Sequence, residues 1–196
     1  MHRSKSTVTI GGGAWRGRAL AYPPGPAVRP SMQRTRSSLF SSLGERVHGA
    51  VFADLFAGGG AVGFEALSRG AARAHFVERS REAVAALREN ARVLGVESNR
   101  AVVHAAAVAA VLDAQPCPIA DATIVFADPP YDVDVNDEML RRFRVREFAQ
   151  LETVVVEHRV RTVLSPPPGL VITRARRFGD TVLTTLSPDG GQGGIA

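Results

Sequence analysis

The sequence has one cysteine, one lysine and no long hydrophobic run, and each shortage excludes a class of protein. Cys117 has no second cysteine to pair with, so an internal disulfide, a thiol redox pair and a cysteine-rich zinc site are excluded. The longest apolar run, around His104, is shorter than a membrane-spanning helix. No apolar stretch follows the basic N-terminus, so we expect a cytoplasmic protein without a membrane partner.

Positive charge comes almost entirely from arginine and is concentrated near the N-terminus. Lys5 is the only lysine in a chain of formal net charge +5. Residues 1–46 contain eight basic side chains and one acidic side chain, Glu45. Guanidinium groups bind phosphate through paired hydrogen bonds, so this segment favours a nucleic-acid partner over a membrane surface. The arginines expected to contact it are Arg16, Arg18, Arg29, Arg34 and Arg36.

The order of the predicted elements indicates an α/β domain preceded by a short extension. In residues 1–48, two β-like runs separated by glycines predict a hairpin, and an arginine-studded amphipathic pattern predicts a helix after it. Residues 49–188 alternate apolar strands with helices, which is typical of a mostly parallel seven-stranded sheet covered on both faces. Residues 189–196 are expected to be a disordered tail. Strands are predicted at 51–56, 74–78, 101–104, 122–127, 153–157, 170–173 and 181–186, and helices at 60–69, 80–94, 106–113 and 137–149.

A glycine-rich turn after the first core strand predicts a ligand loop. Gly58, Gly60 and Gly63 form G-x-G-x-x-G, in which missing side chains permit a tight turn and close approach to a ligand. The spacing alone fits a dinucleotide pyrophosphate, the methionine arm of S-adenosylmethionine, or close helix packing without a ligand. Asp54 lies just before the turn, where a carboxylate suits an ammonium better than a pyrophosphate. Glu78 ends the next strand and is placed to accept hydrogen bonds from both ribose hydroxyls of an adenosine.

The strongest local pattern is an apolar strand that ends in Asp128 and continues as Pro129, Pro130 and Tyr131. Proline restricts its own backbone and that of the preceding residue, so the Asp128 carboxylate and the Pro129 carbonyl are expected to face one point. Two such acceptors suit the exocyclic amine of a base, because positive charge develops on that nitrogen during methylation. Tyr131 is expected to stack on the base. The structural alternative is a proline turn with a helix-capping aspartate.

With these motifs, the chain resembles the bacterial 16S rRNA (guanine-N2)-methyltransferase family usually called RsmD. The matching blocks run from GGGAWRGRAL and RPSMQRTRSSLFSSL through DLFAGGGAVGFEALSRGA, FVE and DPPY to RRFGDTVL. The resemblance implies a Rossmann-like class I methyltransferase fold and S-adenosylmethionine as methyl donor. It implies a guanine 2-amino group as acceptor, in 16S rRNA or an assembling small subunit. It also implies a cofactor site at Asp54, Phe56, Ala57, Gly58, Gly60, Glu78 and Asp128, and a catalytic motif at Asp128, Pro129, Pro130 and Tyr131.

Two departures from the family pattern keep alternatives open. The family usually has T-x-D-R-x-R-E after its Arg-Pro pair, whereas this chain keeps Arg34 and Arg36 and lacks both acids. Where the family usually has Gly-Asp-Ala, this chain has His104, Ala105 and Ala106, so either backbone groups recognise adenine or the cofactor binds more weakly. The alternatives are an N6-adenine DNA methyltransferase and a non-catalytic RNA-binding protein on a methyltransferase scaffold. The lack of a separate target-recognition domain opposes the first, and the intact D-P-P-Y opposes the second.

The histidines predict no metal site. His104 and His158 lie on or beside apolar strands, where we expect packed or hydrogen-bonded side chains. His2, His48 and His75 show no constellation with acids or with the cysteine. We therefore expect a monomer without a metal.

Overall fold

The computed structural model describes residues 6–22, 30–130 and 139–190, and no helix within them is long and apolar enough to cross a membrane. The strands are β1 (Ser6–Thr9), β2 (Ala19–Tyr22), β3 (Val51–Leu55), β4 (Arg73–Val77), β5 (Ala101–His104), β6 (Ile124–Ala127), β7 (Thr153–Arg159), β8 (Leu170–Phe178) and β9 (Thr181–Pro188). The helices are α1 (Pro30–Leu43), α2 (Ala61–Ser68), α3 (Arg81–Leu94) and α4 (Val108–Asp113).

A seven-stranded sheet with the order β5-β4-β3-β6-β7-β9-β8 organises the fold. The first five of these strands are parallel, and β9 and β8 extend the sheet as an antiparallel pair. The chain winds outward in one direction from β3 to β5 and then crosses back to β6 on the other side of β3. The carboxyl ends of β3 and β6 therefore flank the topological switch point, where open α/β sheets bind ligands. The predicted mostly parallel seven-stranded sheet is confirmed.

Helices and loops cover both faces of the sheet, as predicted. On one face, Phe40 of α1, Phe64 of α2 and Leu87 of α3 belong to a single buried cluster. On the other face, Val111 of α4 packs with Phe148 and other residues from the loops around it. Apolar strands that are buried on both faces explain the nearly unbroken hydrophobic runs of the sequence.

The N-terminal extension shares the core of the sheet domain. Strands β1 and β2 pair antiparallel, as the predicted hairpin requires, and α1 follows them. Ile10, Leu20 and Leu39 are buried in the same cluster as the sheet residues. The hairpin and helix are thus held by hydrophobic burial against the domain.

Two predicted elements differ from the structure. Residues 139–149 contain no α-helix; instead, short 3-10 turns cover Leu140–Arg142 and Val145–Glu147. The turns bring Phe143 and Phe148 into a stack with centroids 4.7 Å apart, which satisfies the helix-like apolar spacing without a helix. Strand β8 continues to Phe178 rather than ending at residue 173. Its arginine-rich second half is an exposed edge, so the sequence shows no apolar alternation there. Of the predicted tail, residues 191–196 lie outside the described part.

Candidate active site

Two adjoining cavities open at the carboxyl ends of the central strands. The larger has a volume of about 310 Å³ and the smaller about 50 Å³. Glu78 lines the larger cavity, and Asp54 lines the smaller one. Tyr22, Phe56 and Asp128 line both cavities, so they stand at the boundary between them.

The glycine turn uses its glycines for different purposes. Gly58 and Gly60 have φ angles of 54° and 82°, a left-handed backbone that glycine adopts without strain. Gly63 begins the packed part of α2, and a Cβ atom there would lie 2.3 Å from the Phe76 ring. The first two glycines therefore shape the loop, whereas the third allows α2 to pack closely on β4.

Phe56 joins the glycine turn to β3 in a strained conformation. Its φ angle is 64°, in the left-handed region that non-glycine residues adopt at a cost of roughly 1–3 kcal/mol. Ala57 follows as a buried residue whose N–H donates to the Val77 carbonyl at 3.0 Å. Phe56 lines both cavities, and a strained backbone of this kind is typical of functional loops.

The Glu78 carboxylate fixes the glycine turn and faces the larger cavity. Its Oε2 accepts a hydrogen bond from the Gly58 N–H at 2.8 Å, and its Oε1 accepts one from the Ser80 N–H at 2.7 Å. A carboxylate has about four lone-pair sites, so two remain for ribose hydroxyls. Ala106 and Ala107 also line the larger cavity, and they contribute no carboxylate to it.

Asp54 is a buried carboxyl group at the end of β3. Its side chain accepts a hydrogen bond from the Gly63 N–H at 2.9 Å. Burial, together with the negative charges of Asp128 and Glu78, raises the pKa of Asp54 to about 7, although the hydrogen bond from the Gly63 N–H opposes the shift. A cation in the smaller cavity would relieve this cost, which fits the ammonium group expected from the sequence.

Asp128 follows β6 at the boundary of the cavities. Burial raises the pKa of Asp128 to about 6, which leaves the carboxylate mainly ionised at neutral pH. Pro129 is buried and Pro130 lines the larger cavity, so the diproline turn holds Asp128 at the edge of the sheet. Tyr131, predicted to stack on the base, lies outside the described residues.

Two residues at the cavities carry no recognisable sequence motif. Tyr22 reaches them from the end of β2, and burial together with nearby carboxylates raises the pKa of its hydroxyl. Glu157 lines the smaller cavity from β7; burial raises its pKa to about 8, and the charge of Asp128 adds to the effect. Asn90 positions β2 here, because its amide exchanges hydrogen bonds with Ala21 and donates to the Gly59 carbonyl. Only the unusual acid within the apolar run of β7 could have indicated Glu157.

The expectation that Arg36 contacts nucleic acid is not met by its position. Its Nε pairs with the Glu65 carboxylate at 2.9 Å, and a second guanidinium nitrogen donates to the Thr9 carbonyl at 2.6 Å. The side chain is only 8% exposed. Arg36 thus joins α1 to α2 and the hairpin and borders the smaller cavity, so it is not an accessible phosphate contact.

The remaining predicted arginines that the structure describes lie near two different edges of the sheet. The Trp15 N–H donates to the Ser68 hydroxyl at the end of α2, and Arg18 donates to the Val93 carbonyl near the end of α3. Because these helices start at the carboxyl edge of the sheet, Arg16 and Arg18 lie near the opposite edge. Arg34 is exposed on the same α1 turn as Arg36, near the cavities. Arg29 lies outside the described residues.

A second expectation is wrong: His75, expected to have no acidic partner, contacts one. Its ring nitrogens contact His104 Nε2 at 3.0 Å and the Asp121 carboxylate at 2.9 Å, and Arg73 pairs with the same carboxylate. Burial lowers the pKa of both histidines. His158 contacts the Thr184 hydroxyl at 2.8 Å, so His104 and His158 are hydrogen-bonded as predicted. Within residues 6–22, 30–130 and 139–190, no group of three His, Cys, Asp or Glu side chains could hold a metal ion.

Comparison with known proteins places the chain in a family. The model of the family described as conserved hypothetical protein 95 matches residues 8–187. The chain is 34% identical over 169 residues to ribosomal RNA small subunit methyltransferase D of Escherichia coli K12, covering 86% of this chain and 83% of that protein. It is 32% identical over 173 residues to the putative rRNA methyltransferase YlbH of Bacillus subtilis 168, covering 86% and 92%.

Solved structures agree with these sequence matches. The putative methyltransferase yhhF from Escherichia coli superimposes with a TM-score of 0.78 at 28% identity, covering 94% of this chain and 99% of that one. The putative methylase HI0767 from Haemophilus influenzae has a TM-score of 0.74 at 25% identity, with 93% and 99% coverage. The fold is therefore that of a Rossmann-like class I methyltransferase, and the chain belongs to the RsmD family of rRNA methyltransferases.

Proposed function

We propose that the protein transfers the methyl group of S-adenosylmethionine to the exocyclic 2-amino group of a guanine in 16S rRNA. The observation that carries this proposal is that Asp128 lines both cavities, together with Glu78 in the larger and Asp54 in the smaller. An amine held by the Asp128 carboxylate would therefore lie beside a methyl donor that extends from one cavity into the other. The curated relatives named as small-subunit rRNA methyltransferases support the choice of substrate. An rRNA substrate places the proposed activity in the cytoplasm.

The residues of the larger cavity fit an adenosine, and those near Asp54 fit a methionine arm. A cavity of about 310 Å³ is at the lower end of the range for small-molecule sites. Glu78 has acceptor sites left for ribose hydroxyls, and Asp54 suits the ammonium group. When bound here, S-adenosylmethionine supplies an electrophilic methyl group on a sulfonium sulfur.

Asp128 and Pro129 prepare the amine for attack in this proposal. The Asp128 carboxylate and the Pro129 carbonyl accept its two N–H groups, which frees the nitrogen lone pair from the base ring. The new N–C bond forms as the S–C bond breaks, and positive charge develops on the nitrogen beside Asp128. The amine proton then passes to Asp128 or to water, leaving a neutral, methylated 2-amino group on the base. Tyr131 is proposed to stack on the base.

The surface proposed to contact the rRNA backbone combines α1 with β8. Arg34 is exposed near the N-terminus of α1, and Arg176 of β8 donates to the Ser38 hydroxyl of α1 at 3.3 Å. Strand β8 runs towards the same edge as β7, because both are antiparallel to β9. Both arginines thus lie beside α1, the helix whose Thr35, Arg36 and Leu39 line the smaller cavity. Phosphate contacts there would provide affinity and register.

Methyl transfer with three candidate substrates tests the proposal. The protein is incubated with methyl-labelled S-adenosylmethionine and with small ribosomal subunits, free 16S rRNA or DNA, the ribosomal material coming from cells that lack this enzyme. The products are digested to nucleosides and separated. We expect label in N2-methylguanosine. Label in N6-methyladenine would identify the DNA enzyme instead, and RNA binding without any transfer would identify a non-catalytic protein.

A further inference from the structure

Glu157 lies beside Asp128 on the neighbouring strand, and the proposed methyl transfer gives it no role. In the parallel pairing of β6 with β7, Ala127 lies opposite Val156, so Asp128 and Glu157 are the next residues in register. Both side chains line the smaller cavity. Strand alternation places them on the face of the sheet that α1 covers.

We propose that Glu157 recognises the N1–H and O6 groups of the target guanine while Asp128 holds its 2-amino group. This inference rests on the proposed function, because it states how the same site selects its base. On guanine, the 2-amino group, N1–H and O6 follow one another along a single edge. Adjacent strands lie about 4.8 Å apart, which is similar to the separation of the amine from O6. Side chains at the ends of β6 and β7 can therefore contact both ends of this edge.

The protonation state of Glu157 suits this pairing. Its pKa of about 8 favours the neutral carboxylic acid at neutral pH. The carboxylic acid has one acceptor for N1–H and one donor for O6, whereas the carboxylate has no donor and would repel O6. The charged or titratable groups that line the same cavity are Tyr22 of β2, Arg36 of α1, Asp54 of β3 and Asp128 after β6. Arg176 of β8 lies in register with Glu157 across β9, because both residues pair with Leu183.

Glu157 and Asp128 together discriminate against adenine. A neutral carboxylic acid could also pair with the N1 and N6 groups of adenine, so Glu157 alone does not separate the two purines. Adenine has no 2-amino group, and Asp128 would face a C–H group there. A buried acceptor without its donor is costly, so the pair of acids selects guanine.

Two substitutions separate recognition from structure. Glu157→Gln keeps one acceptor and one donor, whereas Glu157→Ala removes both. Glu152→Gln and Glu152→Ala are matched controls, because Glu152 is exposed just before β7 starts. The substrates are a short unpaired RNA with the target guanosine, as mapped in 16S rRNA, and the same RNA with 1-methylguanosine, which lacks the N1–H donor.

The wild type is expected to prefer guanosine by roughly 10–100-fold in kcat/KM, since 1-methylguanosine leaves the buried acceptor of Glu157 without its donor. Glu157→Gln and both controls should keep this preference. Glu157→Ala should reduce it to about 3-fold or less.

The pH profile gives a readout that a purely structural role would not move. Wild-type activity should fall above about pH 8 as Glu157 loses its proton, whereas Glu157→Gln should show no fall in that range. Loss of the guanine N1 proton affects all variants alike. An alkaline fall that is unchanged in Glu157→Gln contradicts the inference.

Binding of both RNAs, measured with S-adenosylhomocysteine, separates the inference from the proposed function. If the wild type makes N2-methylguanosine and Glu157→Ala keeps the wild-type preference, the inference is wrong and the function stands. If the wild type transfers no methyl group but binds the guanosine RNA preferentially, and Glu157→Ala loses that preference, base recognition stands and transfer does not. If Glu157→Ala weakens only S-adenosylhomocysteine binding, Glu157 belongs to the cofactor site and the inference is overturned.

Discussion

Arg36 and Glu65 form a buried ion pair that joins α1 to α2. Their side chains are 8% and 1% exposed, and the Nε–Oε2 distance is 2.9 Å. The same carboxylate accepts hydrogen bonds from the Gly11 N–H at 3.0 Å and from Arg69 at 2.8 Å. One acid thus connects the hairpin, α1 and α2 beneath the smaller cavity.

Glu65→Ala is expected to lower the free energy of unfolding by about 3–5 kcal/mol, because it leaves a buried guanidinium without its partner. Urea denaturation measures the change. Glu89→Ala is the control, since the Glu89–Arg92 pair is exposed and should contribute about 1 kcal/mol or less. A loss in Glu65→Ala no larger than in the control would show that the Arg36–Glu65 pair does not hold α1.

Asp54→Asn is expected to stabilise the fold and weaken the cofactor site. The folded pKa of about 7 exceeds the ordinary value of 3.8, so the folded state binds more protons than the unfolded state between these values. The contribution of Asp54 to stability therefore decreases as the pH rises from 4 to 7. Asparagine removes the charge, so its gain should grow over that range and reach roughly 1–3 kcal/mol at pH 8.

Urea denaturation at several pH values, with S-adenosylhomocysteine binding measured alongside, tests both effects of Asp54→Asn. Cofactor affinity should decrease about 10-fold or more through loss of the charged partner of the ammonium. Asp180→Asn, in the exposed turn before β9, should change neither quantity. A gain in stability that does not depend on pH would contradict the assignment to Asp54.

Asp128→Asn is expected to reduce the rate of methyl transfer by roughly 10²–10³-fold, because the amide keeps the shape but not the charge that stabilises the transition state. Single-turnover transfer to the rRNA measures the rate. S-adenosylhomocysteine binding should stay within about 3-fold of wild type, since Asp128 lies at the boundary of the two cavities and has no proposed charged partner on S-adenosylhomocysteine. Full activity in this variant would exclude the proposed role of the carboxylate.

The sequence located the residues that follow a strand, and these residues line the two cavities, while their roles stay predictions. Asp54, Glu78 and Asp128 come directly from the ends of apolar strands, and parallel strands bring such ends to one edge. Glu65 and Tyr22 could not be found in this way, because their positions depend on contacts between elements far apart in the chain. Arg36 was misjudged for the same reason: helical spacing cannot show that the facing surface contains a buried acid.

The two predicted elements that differ from the structure depend on pairing with other segments. The apolar spacing of residues 139–149 is satisfied by two short turns, and Arg144 holds them by donating to the Leu112 carbonyl at 2.6 Å. Strand β8 has an exposed second half, so its backbone pairing with β9 leaves no apolar pattern in the sequence. In both cases, hydrogen bonds to another segment, rather than apolar spacing, decide the structure.

The salt dependence of RNA binding should separate the arginines at the catalytic edge from those at the opposite edge. Arg34 is exposed on α1 and Arg176 contacts Ser38 of the same helix, whereas Arg16 and Arg18 lie near the ends of α2 and α3. Each lost phosphate contact lowers the slope of log K against log salt by about 0.7–0.9. Replacing Arg34 and Arg176 by alanine should therefore reduce the slope by roughly 1.5.

The matched pair for this test is Arg16→Ala with Arg18→Ala, which removes the same charge from the chain and should leave the slope unchanged. Filter binding of 16S rRNA over a series of salt concentrations measures both slopes. Unfolding curves confirm that each double variant is folded, because Arg18 also donates to the Val93 carbonyl. Equal reductions in the two variants would mean that net charge alone draws the RNA, and the proposed surface of α1 and β8 would then be wrong.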